Sequence, residues 1–255
     1  MYPLPGNDIL DLIKTLGALN EGTVHLWIAD LRKWKSHSQH LRSLLSDDEN
    51  IRLDRLKIND KKNEFLCSRG ILRIILSYYL TKNPSNLPIL NSPAGKPFVP
   101  GTEVQFNISH SKDYLLCGIS SGERIGLDIQ EIYTISSIDS IIKNYFNPNE
   151  VSYLRSLKSS EIFKDQFFAI WTAKEAYFKA VGDGIRESFN KFILIPDSAD
   201  TQNFILDIPG SERERSKWTI KSLEIAQGYF AAVAYEGSMT ELNRCEILPE
   251  FFFEI

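Results

Sequence analysis

The sequence predicts an α+β fold made of two similar halves, and three observations carry that expectation. Strand-like and helix-like segments follow one another in the same order twice, strand, helices, strands, with no low-complexity linker between the two passes. The changeover falls near Arg124, dividing residues 1–124 from 125–255, although no strong residue-level repeat accompanies it. The second half is organised around one stretch, Phe167 to Gly184, in which Phe167, Ile170, Trp171, Phe178 and Val181 recur at helical spacing on one stripe. Lys174 lies inside that stripe and must snorkel, pair or reach an anion, because a buried unpaired ammonium is very costly. Glu175 and Lys179 stand at i and i+4 on the adjoining face, where an ordinary surface salt bridge would look the same.

Composition narrows the class. The chain has 255 residues, 43% hydrophobic and 24% charged, enough apolar content for a substantial core in one large or two small domains. Its net charge of −4 supplies no overall basic field, so neither nucleic acid nor a membrane surface is an expected partner, and a polyanion must be met by local charge. Cys67, Cys117 and Cys245 are scattered without zinc or disulfide spacing, which suits reduced thiols and a cytoplasmic location. No stretch reaches the roughly 18 apolar residues of a membrane span.

Taken in order, Met1 to Gly22 is an amphipathic lead-in and Val24 to Leu31 a first strand. Ser46 followed by Asp47, Asp48 and Glu49 starts a helix, with acids in the turn where the dipole favours them. A second helix runs from about Asp60 to Leu80. One face is apolar, and Lys61, Lys62, Arg69 and Arg73 form either a solvated or an anion-facing basic set. Residues 83–101 are rich in proline and glycine and hold Lys96 between Gly95 and Pro97 on restrained backbone. Val104 to Ser109 alternates as a strand, and Tyr114 to Ile119 with Ile125 to Ile132 is expected as a hairpin. In the latter strand Gly126, Asp128 and Gln130 share one face, opposite Ile125, Leu127 and Ile129. A helix over about 135–145, a helix capped by Asn147 with Pro148, the long helix after Ser160, four strands (192–195, 204–208, 218–225, 229–235) and an apolar tail at Phe251 to Phe253 complete the reading.

Five segments in register give the chain a family likeness. Gly95-Lys96-Pro97, Phe106-Asn107-Ile108-Ser109-His110-Ser111, Ile125-Gly126-Leu127-Asp128-Ile129, Trp171-Thr172-Ala173-Lys174-Glu175-Ala176 and the following Lys179 closely resemble the 4'-phosphopantetheinyl transferases of the larger, surfactin-synthetase-activating type. Arg69 to Arg73, Asn144 to Glu150 and Gly182 to Ile185 extend the likeness over roughly Val24 to Tyr235, and cyanobacterial, heterocyst-type members look most similar.

That resemblance implies transfer of the 4'-phosphopantetheine arm of coenzyme A to a serine of an apo acyl or peptidyl carrier protein, in a monomer whose two halves enclose the cofactor. Magnesium with lysines suits such chemistry, because the diphosphate charge must be neutralised and the nucleophile aligned. By the family match Asp128 and Glu175 ligate Mg2+, and Glu175 takes the serine proton directly or through bound water. Lys179 holds the diphosphate, Lys174 lies nearer the core as ligand or paired structural lysine, and Arg69, Lys96, Ser109 and His110 grip the nucleotide's 3'-phosphate region. Many relatives carry a glutamate where this chain has Gln130, whose amide oxygen can ligate magnesium but adds no charge. The segment Asn147 to Leu157, with Arg155 and Lys158, is placed to border the carrier. A magnesium-dependent phosphohydrolase of coenzyme A or nucleotides and a non-catalytic carrier-binding module are the alternatives.

Overall fold

In the computed structural model, residues 14, 16–132, 138–182 and 189–252 are described. Most of the lead-in, the start of the 135–145 helix, Asp183 to Ile185 and Phe253 lie outside them. The first half contains β1 (Thr23–Asp30), α1 (Asp47–Arg55), α2 (Asn59–Leu80), a short ribbon of β2 (Leu90–Asn91) and β3 (Pro97–Phe98), then β4 (Val104–Ser111) and β5 (Tyr114–Ser121). The second contains β6 (Ile125–Glu131), α3 (Ile138–Tyr145), α4 (Pro148–Ser156), α5 (Ser160–Val181), β7 (Ile193–Pro196), β8 (Phe204–Asp207), β9 (Trp218–Leu223), β10 (Tyr229–Glu236) and β11 (Glu241–Glu246).

The main sheets have the orders β11-β1-β5-β4 and β6-β10-β9. In each half the first strand pairs antiparallel with the last strand of a later hairpin, β1 with β5 and β6 with β10. The two sheets meet face to face. Leu116, Ile125, Leu127, Ile129, Val233 and Tyr235 pack together in one buried layer, while Leu115, Cys117 and Ile119 turn the other way onto Ile71, Ile74 and Ile75 of α2. Ala232 and Ala234 likewise turn away from the shared layer, toward Ile170, Ala173 and Ala176 of α5. One 22-residue helix therefore covers each outer side of the sheet pair. Period-two strands with both faces buried need this arrangement, since each face must find its own apolar partner.

One expectation is corrected. Tyr114 to Ser121 does not hairpin with β6. It pairs with β4 through a two-residue turn at Lys112 and Asp113, and β6 pairs with β10 in the other sheet. Leu115, Cys117 and Ile119 of β5 face α2 while Leu116 packs with Ile125, Leu127 and Ile129, so β6 covers a face of β5 instead of extending its sheet. β11, unanticipated as a strand, returns to the first sheet and pairs parallel with β1 from Thr23 to Ile28. The long helix begins at Ser160 with Ser159 as its cap and closes on Gly182 in the left-handed conformation.

The halves are joined at β4 and β6 by side chains, not by a backbone ladder. Asn107 Oδ1 accepts the Leu127 amide at 2.8 Å, Ser109 Oγ the Ile129 amide at 3.3 Å and Ser111 Oγ the Glu131 amide at 2.9 Å. Alternate residues of one strand thus hydrogen-bond alternate amides of the other, which fixes their register. On its far face Gly126 lies directly against the backbone of Ala176 and Ala180. The close approach expected at this glycine is made by α5.

Candidate active site

The cleft opens where β4, β6, α2 and α5 converge. Its larger part, about 490 Å³, is lined by Arg52, Lys61, Glu64, Phe65, Ser68 and Arg69 on one side and Ser109, His110, Asp128, Gln130 and Lys179 on the other. A second part, about 370 Å³, is lined by Gly95, Lys96, Asn107, Glu175, Phe178 and Lys179. Pro97, Ile108 and Lys179 border both. The strand carboxylate and the helix carboxylate, 47 positions apart in sequence (128 to 175), therefore face adjoining parts of one cleft with Lys179 between them.

Lys179 donates to Asp128 Oδ1 at 2.6 Å and to Ser109 Oγ at 2.9 Å. Ser109 donates its own proton to Asp128 Oδ1 at 3.1 Å while accepting from Ile129 and Lys179, so its single donor and both lone pairs are engaged. Asp128 is 7% exposed and offers carboxylate oxygen to the cleft, with Gln130 on the same face two residues on. Among the described residues no group of three or more His, Cys, Asp or Glu gathers to hold a metal ion. Asp128, Gln130 and Glu175 are oxygen donors, the ligand type of magnesium, a hard cation that keeps several waters and takes its remaining oxygens from substrate phosphates.

On the α2 side positive charge is concentrated. Arg52 and Arg69 lie over the Phe65 ring at 5.1 and 5.9 Å. Burial holds Arg69 below its ordinary pKa, with Glu49 opposing and Arg52 and Arg73 adding to the depression. His110 contacts Glu64 Oε1 through Nδ1 at 3.1 Å, and Lys61 holds the other oxygen of Glu64 at 2.7 Å. Burial pushes His110 below the usual imidazole value and Lys179 and Lys61 push the same way, against the pull of Glu64 and Asp128. Ser68 Oγ is buried in this wall without a hydrogen-bond partner among the described residues.

Two of the expected lysines are held by protein groups. Lys174 is fully buried and gives its ammonium to both oxygens of Glu150 at 2.7 and 2.9 Å and to Phe192 O at 3.3 Å, over the Phe192 ring at 4.1 Å. It lines neither part of the cleft, and of the two alternatives read from the sequence its geometry is that of the paired structural lysine. Lys96 lines the second part of the cleft but donates to Ile125 O at 3.0 Å and Ala180 O at 3.2 Å, bridging the halves and capping the negative end of α5. Burial, with Arg124 adding, lowers it to about 8. A phosphate would have to draw it away from those carbonyls. Arg73, read as part of the basic face, is 1% exposed and bound to Glu49 at 2.6 Å. Arg52, Glu64 and Ser68 were not anticipated, yet 61, 64, 65, 68, 69 and 72 recur at helical spacing and mark one face of α2.

The sequence model of the 4'-phosphopantetheinyl transferase superfamily matches residues 124–234. The 4'-phosphopantetheinyl transferase HetI of Nostoc sp. is 38% identical over 166 residues, 64% of this chain and 70% of that protein. The chain belongs to the 4'-phosphopantetheinyl transferase superfamily. A putative 4'-phosphopantetheinyl transferase of Synechocystis sp. is 36% identical, covering 65% of this chain and 72% of its own length, and the transferase Sfp of Bacillus subtilis is 27% identical over 78% and 85%. The cyanobacterial likeness read from the motifs is thereby borne out. The segment matched to the superfamily holds Asp128, Gln130, Glu175 and Lys179, whereas the arginine-lined wall of α2 lies before it. No described helix of the transferase is long and apolar enough to cross a membrane.

Proposed function

We propose that this transferase binds coenzyme A across the cleft, with its 3'-phosphate end toward Arg69, Lys61 and His110 and its diphosphate beside Lys179, and moves the 4'-phosphopantetheine arm to a carrier-protein serine. The observation that carries this reading is the convergence on one cleft of Asp128, Lys179 and Glu175 from two different elements, opposite a wall of arginine and lysine. The serine oxygen forms a new bond to the phosphorus of the arm, the bond from that phosphorus to the bridging oxygen breaks, and adenosine 3',5'-bisphosphate leaves. Glu175 accepts the serine proton. Lys179, already poised on Asp128, turns its ammonium to the departing charge, and electrostatic stabilisation of this kind is the main resource for phosphoryl-group chemistry. Ser68, whose hydroxyl has no hydrogen-bond partner among the described residues, supplies a donor or acceptor to the nucleotide.

Asp128 and Glu175, with Gln130 as a neutral third donor, would hold Mg2+, which when bound neutralises diphosphate oxygens. Because Gln130 brings no charge, binding of this ion rests on fewer anionic ligands. A monomer in the cytoplasm suffices for this function, since one chain builds both walls of the cleft. Incubation with magnesium, coenzyme A and an apo carrier tests the reading: intact-mass measurement should show the carrier gaining one phosphopantetheine arm. Hydrolysis of coenzyme A with the carrier unmodified would favour a phosphohydrolase, and no reaction with carrier binding retained would favour a silent binding module.

A further inference from the structure

Each half contains a corresponding carboxylate–base pair, fully buried in the second half and, in the first, with a buried arginine and a carboxylate 13% exposed. Glu150, third residue of α4, takes Lys174 on both carboxylate oxygens and also accepts the Leu194 amide at 2.7 Å and its own cap amide, Asn147, at 2.8 Å. Glu49, third residue of α1, takes Arg73 Nε at 2.6 Å and its cap amide, Ser46, at 3.1 Å. Both basic residues send further N–H groups to the chain that leaves their helix, Lys174 to Phe192 O and Arg73 to Pro84 O and Leu87 O. A constant offset of 101 positions relates the two sets (49 to 150, 73 to 174), and it also relates the starts of the two 22-residue helices (59 to 160).

What the offset does not conserve is the chemistry facing the cleft. Glu175 and Lys179 on α5 correspond to Ile74 and Tyr78 on α2, and Arg69 on α2 corresponds to Ile170 on α5. The pair is shared by a helix that carries the carboxylate and lysine and by a helix that carries the arginine, so it belongs to neither chemistry. Nor does stability require it, because well-packed apolar residues commonly replace a buried ion pair without loss. Its distinctive property is direction: short hydrogen bonds on several sides of one carboxylate fix the rotation and axial position of the helix that meets it.

We infer that Glu150–Lys174 and Glu49–Arg73 are positioning pairs that set the register of α5 and α2 against the cleft, the first governing turnover and the second governing coenzyme A affinity. This rests on the function proposed above. Glu175 is the residue next to Lys174, so any rotation of α5 about its axis moves it directly.

The test replaces each pair with apolar residues in the full chain, Glu150→Met with Lys174→Met and, separately, Glu49→Met with Arg73→Met. Melting temperature, coenzyme A affinity by calorimetry and kcat with an apo carrier are measured for each. The first double variant should stay folded and lose about tenfold or more in kcat with a smaller loss of coenzyme A affinity through Lys179, since sub-ångström to ångström misplacement carries penalties of that order. The second should keep kcat and lose about tenfold in coenzyme A affinity. Full turnover in a stably folded first variant, or the same kinetic pattern in both, overturns the inference. If a double variant fails to fold, Glu150→Gln, whose single amide oxygen can serve only one of the Leu194 and Asn147 amides, and Arg73→Lys carry the same test, and absence of the kcat-against-affinity split in them overturns it equally. Hydrogen exchange along 170–181 reads the placement of α5 without any substrate: faster exchange there is expected in Glu150→Gln, and unchanged exchange overturns the pair's role. A parent chain that neither binds coenzyme A nor modifies a carrier would refute the proposed function and leave that exchange result standing.

Discussion

Replacing Gly126 with alanine tests how closely α5 is fitted to β6. A Cβ at this position would stand 2.0 Å from Ala176 O, 2.3 Å from Ala180 N and 2.9 Å from Ala180 Cα. These are backbone atoms of α5, so no side chain can rotate away and the helix must move as a body. Ordinary non-bonded contacts of carbon lie near about 3.5 Å, which requires α5 to retreat by about 1.5 Å. The bond from Lys179 to Asp128, 2.6 Å, spans the same gap between helix and strand. Retreat of that size stretches it to about 4 Å, outside hydrogen-bonding range. Overpacking a well-filled core costs about 1–3 kcal/mol, and with only backbone to yield the upper figure applies. For a chain of this size that lowers the melting temperature by about 6–12 °C. Displacement of the reacting groups by about 1 Å costs about 10²-fold in turnover. Calorimetric melting of Gly126→Ala, alongside intact-mass assay of carrier modification, measures both quantities. A variant that melts with the parent and transfers at the parental rate would refute the packing of α5 on this strand.

Three further outcomes are expected. Lys96 is lowered to about 8 from 10.5, so between those values the unfolded chain holds a proton that the folded chain has released, and stability rises as pH increases through that window. Lys96→Met should flatten this rise in urea midpoints measured from pH 8 upward, and an unchanged slope would refute the assignment. Arg69→Ala removes charge-assisted bonds to the 3'-phosphate worth about 1.5–3 kcal/mol, so calorimetry should show about 10-fold to 100-fold weaker binding of coenzyme A and little change for its 3'-dephospho form. Equal losses for the two ligands would contradict that role. Glu175→Gln should retain coenzyme A binding while carrier modification slows by about 10²-fold to 10⁴-fold, the range of general-base catalysis; lost binding with turnover intact would contradict it.

The long helix, the capped helices at Ser46 and Asn147 and the polar face of β6 were legible because each is written in local periodicity and capping chemistry. The partner of β5 was not legible. Alternation shows that a strand has two faces but not which strands cover them, and a nearby turn favoured the wrong neighbour. β11 was missed because Glu241 to Glu246 is polar at most positions, and its strand character comes from the edge of β1 that it completes. The internal repeat had a readable signal: Glu49, Leu53, Leu56 and Lys57 recur as Glu150, Leu154, Leu157 and Lys158 at one offset. It is visible only when spacing rather than overall similarity is compared.

By itself the sequence determined which residue types exist in the right order for phosphopantetheine transfer, and that the two halves follow one plan. Helical and strand periods, caps and turns are local properties of the chain, and they place Asp128, Glu175 and Lys179 on definite faces of definite elements. Tertiary structure alone decided which of the lysines serves the cleft. Lys174 and Lys179 differ by five positions on one helix, and a rotation of 500° at 100° per residue leaves one against Glu150 in the core and the other on Asp128 at the cleft edge. A charge inside an apolar stripe has no fixed meaning until its partner is present, because the cost of burying it is set by what lies within hydrogen-bonding reach.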